Sequence, residues 1–390
     1  MDTDPAAKEG ASGPVAVQAD RGGADPVPTL LDGLRGTNPA LVLLFGAQGE
    51  ELAALDAALS GELPTGCVVV GCSSAGEIGP GGYASDSIVA IGFPMRHFRA
   101  RAITLPNLAS LPVSEWMTAL RRMHQDFAPD PARSLFGLLL VDGLSGQEDA
   151  LVATLDAALP SVPVLGGSAG DGLDFRHTTL LAGSRVQSNV AVFVLVETDL
   201  AVSEVTFAHF SPTPTRAVVT AAIPEKRRIL ELNAEPAAAE YARLTGLSPD
   251  ALTPGEFARH PLLLRMGRRH HVRAISAITD DGGLSLMSAI DTGTVLTLGR
   301  AEDMTQGFSD ALENLPRPPL MVLGFDCILR RLALERAGLT GRMSDLFRRH
   351  RVAGFNTYGE QHSGMHVNQT FVGLAFMEPP PPASGDSHAA

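Results

Sequence analysis

The chain has 390 residues, 45% of them apolar and 19% charged, with a formal net charge of −13. That length exceeds what one core holds, since single cores stop growing near ~250–300 residues, so two domains are expected. The acidic balance opposes non-specific nucleic-acid binding, which depends on neutralising phosphates, and the longest apolar runs, such as 190–196, fall far short of the ~20 residues that cross a bilayer.

Residues 1–27 lack apolar periodicity and 378–390 contain a run of prolines, and both are expected to be disordered tails. Between them short apolar strands alternate with helices: strand 40–45, helix 49–59, strand 67–72 and strand 87–93. The pattern continues with strand 98–104, helix 113–126, strand 135–141, helix 148–159 and strand 162–165. Strands 178–182, 190–196, 202–209 and 217–223 then follow one another across turns, which predicts antiparallel neighbours. A second unit opens with strand 228–232 and a turn at Asn233-Ala234-Glu235-Pro236 into a helix ending near Thr245-Gly246. Strands 272–278 and 284–290 flank the hairpin signal Asp281-Gly282-Gly283. Strand 294–298 leads to helix 302–315, which Pro316, Pro318 and Pro319 end, then to strand 320–325, helix 327–337 and closing strands 352–357 and 370–377. The expected fold class is α/β: two domains, 37–223 and 224–377, with mixed, largely antiparallel sheets flanked by helices. Residue identities show no internal repeat.

Chemistry concentrates near the end of the chain. Gly354-Phe355-Asn356-Thr357-Tyr358-Gly359-Glu360 and then Asn368-Gln369-Thr370 put a phenol, a carboxylate, amides and hydroxyls between two apolar strands. Tyr358, Glu360, Asn368 and Thr370 are therefore candidate ligand contacts, a carboxylate with flanking amide and phenol suiting an ammonium or amide-bearing ligand. The alternative is a core tyrosine with a satisfied hydroxyl and a glutamate holding a turn. Upstream, Gly71-Cys72-Ser73-Ser74-Ala75-Gly76-Glu77 follows the Val68-Val69-Val70 strand, and Cys72, Ser73, Ser74 and Glu77 form a second candidate set. Its backbone amides suit an anion nest, while a structural turn with an inert buried cysteine explains it equally. Asp171 closes the glycine-rich Gly166-Gly167-Ser168-Ala169-Gly170-Asp171, which has neither dinucleotide spacing nor a P-loop lysine. A nucleophile needs a base beside it, and no acid, base and nucleophile set can be assembled, so a hydrolase using Cys72 or Ser74 is the lesser reading. His362 and His366 flank Gly364 without cysteine or carboxylate ligands in register for zinc. Arg342 with Arg348-Arg349-His350-Arg351 reads as a solvated helix end.

These segments, with Asp142-Gly143-Leu144-Ser145 and Glu231-Leu232-Asn233-Ala234-Glu235-Pro236 between them, occur in the order found in the FIST family, and the resemblance spans about residues 37–377. It implies a sensory module that binds a small, amino-acid-like molecule and signals through a separate protein such as a histidine kinase or cyclase. It also implies that Tyr358, Glu360 and Asn368 mark the ligand site. One branch of the family resembles haem-containing nitric oxide sensors, and His209 falls where its His-Gly-Trp segment stands, with His177 next; here Phe210 and Ser211 break the pattern, so no haem is expected. The family's strand and helix ahead of strand 40–45 are expected to be abbreviated. Three cysteines in no disulfide or zinc spacing, and a start without an apolar leader, predict a cytoplasmic protein.

Overall fold

The computed structural model describes residues 12–21, 25–267 and 269–379. Its organisation starts from strands that are apolar on both faces. In Pro39–Phe45, Leu41, Leu43 and Phe45 point into one core while Val42 and Leu44 point into another, because successive strand residues alternate sides. Val190–Thr198 divides in the same way, Val192, Val194 and Val196 against Ala191, Phe193 and Leu195. Such strands require cover on both sides. Three six-stranded sheets supply it by turning their inner faces onto one shared core. Phe376 of one sheet meets Phe93 of another and Phe98 and Phe136 of the remaining one there, at ring separations of 5.5 to 5.9 Å.

The outer faces carry helices. Pro26–Leu34 and Gly49–Ser60 pack on the first sheet, Val113–Phe127 and Glu148–Ala158 on the second, and Gln306–Glu313, Ile328–Arg336 and Thr340–Arg349 on the third. The chain is α/β, with mixed and largely antiparallel sheets.

The three sheets follow one plan. Each has a parallel pair joined through helix, Pro39–Phe45 with Val68–Cys72, Ser134–Val141 with Val164–Ser168, and Met321–Cys327 with Val352–Thr357. Each pair is continued by an antiparallel return strand, Ser87–Pro94, Val190–Thr198 or Thr370–Met377, and then by an outer strand, Val15–Asp20, Phe98–Pro106 or Ala201–Ala208. The sixfold complement is completed by a short hairpin that comes from another repeat. Glu77–Gly79 and Gly82–Ala84 of the first repeat join the third sheet, Leu180–Ala182 and Arg185–Gln187 of the second join the first, and Glu360–His362 and Met365–Val367 of the third join the second. The exchange is cyclic. Residues just before each return strand, Asp86, Asn189 and Gln369, all have left-handed backbone, with φ of 52°, 58° and 54°.

A repeat is therefore present, carried by backbone topology and not by residue identity. Into the third repeat, between its outer strand and its first helix, is inserted a lobe running from Phe210–Ile223 to Val295–Ala301, with an eight-stranded sheet and a core of its own around Tyr241, Phe257 and Leu296. The boundary expected between 223 and 224 falls inside this lobe, where Phe210–Ile223 pairs with Arg228–Leu232. Within the expected tail 1–27, residues 15–20 form the strand Val15–Asp20 and 26–27 open the helix Pro26–Leu34, which begins with an Asp25 side-chain cap, so the edge is not abbreviated; residues 1–11 and 22–24 lie outside those described. Val15–Asp20 escapes the sequence pattern because its outward side is half exposed and its polar Gln18 and Asp20 dilute the apolar signal. The expected C-terminal tail, 378–390, lies mostly outside the described residues.

Candidate functional site

Each parallel strand pair ends in a turn, and in all three repeats the turn reads hydroxyl, any residue, glycine, acid: Ser74-Ala75-Gly76-Glu77, Ser168-Ala169-Gly170-Asp171 and Thr357-Tyr358-Gly359-Glu360. The carboxyl ends of parallel strands are where α/β sheets place their ligands. The three turns meet and hydrogen-bond around a ring. Gly170 and Gly172 donate to the Ser73 and Ser74 carbonyls, both at 3.2 Å; Tyr358 N donates to Ser168 O at 3.1 Å and Ser168 N to Gly359 O at 2.8 Å; Ala75 N donates to Asn356 O at 2.9 Å and Asn356 N to Gly76 O at 2.7 Å. Gly143 permits the close approach, since a Cβ there would lie 2.1 Å from the Ala169 carbonyl and 3.1 Å from the Tyr358 ring.

Two of the three acids face inward. Glu77, 4% exposed, accepts from Ser74 Oγ at 2.5 Å and from Ser87 Oγ at 3.0 Å. Glu360, fully buried, accepts from Thr357 Oγ1 at 2.5 Å and from Thr370 Oγ1 at 2.6 Å, the same clamp in the third repeat. Burial raises the Glu77 carboxyl above its usual range and pushes Glu360 up to about 8, against the pull of these hydroxyls. At neutral pH Glu360 thus holds its proton. Asn368 is buried as well and accepts from Ser288 Oγ of the inserted lobe at 2.6 Å.

Asp171 is different. It lies just under the rim, 9% exposed, accepts the backbone amides of Phe175, Arg176 and His177 at 2.9, 2.8 and 2.7 Å, and accepts the Tyr358 hydroxyl. Burial works against its ionisation, but these donors outweigh it and hold the carboxyl below the usual range, so it is an anion at neutral pH. Phe175, 47% exposed, stacks on Tyr358 with centroids 4.2 Å apart, and Leu173 and Leu144 at 57% and 40% exposure add apolar surface beside it. Arg331 closes another side, donating to Asn356 Oδ1 at 3.0 Å and to the Ala84 carbonyl at 2.9 Å; Gly76 admits it, a Cβ there lying 2.0 Å from Nη1.

The expected site residues thus divide. Ser73, Ser74, Asp171 and Tyr358 come together in the ring, while Cys72, Glu77, Glu360, Asn368 and Thr370 lie beneath it, each at most 4% exposed. Phe175, Leu173 and Arg331 are additions that the motifs do not name; the recurring hydroxyl, glycine and acid pattern is the signal that could have found their surroundings. Burial pushes the Cys72 thiol well above its usual value, so it is no thiolate, and Ser74 Oγ is engaged by Glu77. His209 is 5% exposed, its ring tilted over Phe210 at 4.0 Å, and burial beside the Arg330 guanidinium lowers it to about 3. That packed, cationic setting does not fit a porphyrin. His177 contributes its backbone to Asp171, and His362 pairs with Glu204 at 2.7 Å. Among the described residues no three His, Cys, Asp or Glu side chains gather as a metal set, and no helix is long and apolar enough to cross a membrane.

A family model described as the FIST N domain matches residues 40–235, and one described as the FIST C domain matches residues 237–363. A search of curated proteins finds no match.

Proposed function

The chain belongs to the FIST family, whose domains are sensory and signalling modules, and from that premise we propose that it binds a small molecule at the rim of the three-turn ring and reports the binding to a separate protein. The observation that carries this reading is the contrast between Asp171 and its two counterparts. Glu77 and Glu360 are held by hydroxyls of their own repeats and raised by burial, whereas Asp171, 9% exposed, is kept an anion by three backbone amides and the Tyr358 hydroxyl, next to the exposed aromatic face of Phe175. A carboxylate next to an aromatic face and apolar Leu144 and Leu173 suits a cationic ammonium group with an apolar body, an amino-acid-like ligand. Ser74, 6% exposed, is the second wall, and Ser73, fully buried and accepting from Thr179 N at 3.0 Å, supports it. Glu360, Asn368 and Thr370 act from below as positioning residues for the Tyr358 turn.

The route to a partner runs through the inserted lobe. Arg227 of the lobe donates to Glu148 at 2.6 Å and to the Gly146 carbonyl at 2.9 Å, on the loop that also carries Leu144, so movement at the rim is felt by the lobe. The partner is a signalling protein of the histidine kinase or cyclase type. Mass spectrometry of small molecules released from the purified chain, followed by thermal melts with those molecules added back, tests the reading, because a ligand bound only by the native state must raise its stability. Asp171→Asn is expected to lose that stabilisation while keeping the melting temperature of the ligand-free protein within a few degrees. Undiminished stabilisation in this variant would refute the rim as the binding site.

A further inference from the structure

The inserted lobe differs electrically from the rest of the chain. Residues 210–301 hold 11 of the 30 Lys and Arg but 9 of the 43 Asp and Glu, a balance of +2 within a chain of −13. Four neighbouring strands, Phe210–Ile223, Val295–Ala301, Leu262–Met266 and Arg269–Arg273, contain five arginines and no acidic residue. On one face of this half-sheet lies a cleft of about 600 Å³, of small-molecule size, lined by Arg216, Arg265, His270, Thr213, Thr297 and Val295 among others.

The cleft is built by a break in pairing. Phe210–Ile223 pairs with Val295–Ala301 up to Pro212 and resumes at Arg216, and the unpaired residues between bulge outward, with Thr213 Oγ1 tied to the Leu298 carbonyl at 2.8 Å. A bulge re-aims the side chain that succeeds it. Here that side chain is Arg216, opposite Thr297, while Arg265 stands opposite His270 on the adjacent pair. Arg300, by contrast, is occupied by Glu302 at 3.2 Å, and Arg273 is buried. Among the described residues Arg216, Arg265 and His270 have no acidic partner; Arg265 Nε meets only the Gly267 carbonyl, at 3.2 Å.

We infer that this cleft is a second binding site, for a phosphorylated small molecule. Two guanidinium forks without carboxylates match phosphate oxygens bidentately. Val295, 50% exposed, offers apolar contact to the rest of such a ligand. The acidic remainder of the chain repels the same ligand, so binding is confined to the lobe. The site shares no lining residue with the Asp171 rim and does not depend on that assignment.

The test is calorimetric titration of the full chain with inorganic pyrophosphate at about physiological ionic strength, where loosely attracted ions are screened. Saturable binding is expected, weakened at least tenfold in Arg216→Gln/Arg265→Gln, whose exposed positions leave the melting temperature unchanged, and retained in Asp171→Asn. Absence of binding by the native protein, or equal binding by the double variant, would overturn the assignment. So would citrate binding as tightly as pyrophosphate, or a poly-glutamate peptide binding through these arginines where pyrophosphate does not, since the first removes the phosphate preference and the second makes the face a dock for an acidic protein.

Discussion

Glu360 and Asp171 occupy the same place in two repeats, three residues after a hydroxyl and one after a glycine, yet one is fully buried within a sheet and the other, 9% exposed, is held by loop amides just under the rim. The difference lies in the length of chain between each acid and its hairpin. Glu360 itself opens the hairpin strand Glu360–His362, which carries the side chain into the sheet; beyond Asp171 the chain runs from Gly172 to Thr179 before its hairpin begins at Leu180, and that longer loop folds back over the acid with its amides. Loop length, not the acid, decides whether the carboxyl is drawn into the sheet or held by the amides of a loop.

The largest effect should come from emptying the interior position. At pH 5, where Glu360 is neutral, Glu360→Ala leaves a cavity and two hydroxyls without their partner and should cost about 3 kcal/mol in urea unfolding. A loss under ~1 kcal/mol would mean that the clamp holds nothing. The next effect depends on pH. The folded-state value of about 8 lies above the unfolded one near ~4.3, so the native state binds the proton more tightly and stability falls as pH rises through that interval. Glu360→Gln keeps the shape and cannot ionise, so it should match the native protein near pH 4 and be clearly the more stable of the two at pH 9; parallel stability curves for the two proteins would refute a neutral Glu360.

Asp171 has the opposite sign. Its lowered value makes the carboxylate stabilising above ~3.9, with the contribution lost as pH falls through the folded-state value. Asp171→Asn replaces one accepting oxygen by an NH2 group facing backbone amides, and should cost on the order of 1–2 kcal/mol at pH 7, with the gap closing in acid. Smallest of all, Phe175→Ala should change stability by roughly 0.5 kcal/mol while making Tyr358 react faster with a nitrating reagent, as read by peptide mass; unchanged reactivity would show that the stacked ring shields nothing.

Much of this is legible in the sequence. Strands buried on both faces announce themselves as continuous apolar runs, which is why 190–196 and 352–357 stand out, and the hairpin at Asp281-Gly282-Gly283 is closed by Gly282 N to Thr279 O at 2.8 Å. The expected strand 272–278 is in fact two, Arg269–Arg273 and Ile275–Ile278, which part at Ala274 and pair with different neighbours, a change of direction that composition does not encode. The repeat is hidden for a related reason. Its signature is three short turns with different letters, Ser-Ala-Gly-Glu, Ser-Ala-Gly-Asp and Thr-Tyr-Gly-Glu, and the exchanged strands are only three residues long, too brief for alternation to register. At the site, the motifs point to the right turns but not to depth: nothing local distinguishes a glutamate that enters a sheet from an aspartate held at its edge.

The hairpin exchange also has a consequence in time. During synthesis the first repeat emerges complete in sequence but lacks its sixth-strand hairpin, which the second repeat provides, and its own hairpin at Glu77–Ala84 finds its neighbour only when Val352–Thr357 has been made. For most of translation a bare strand edge therefore waits, and such edges recruit other chains. A ribosome that stalls inside the inserted lobe leaves the first sheet with all its strands, the second without its hairpin, and the third with only its outer strand and the borrowed hairpin. Thr370–Met377 later zips between Ala201–Ala208 and Met321–Cys327 and closes the third sheet, so the nascent protein stays open to aggregation until that strand emerges.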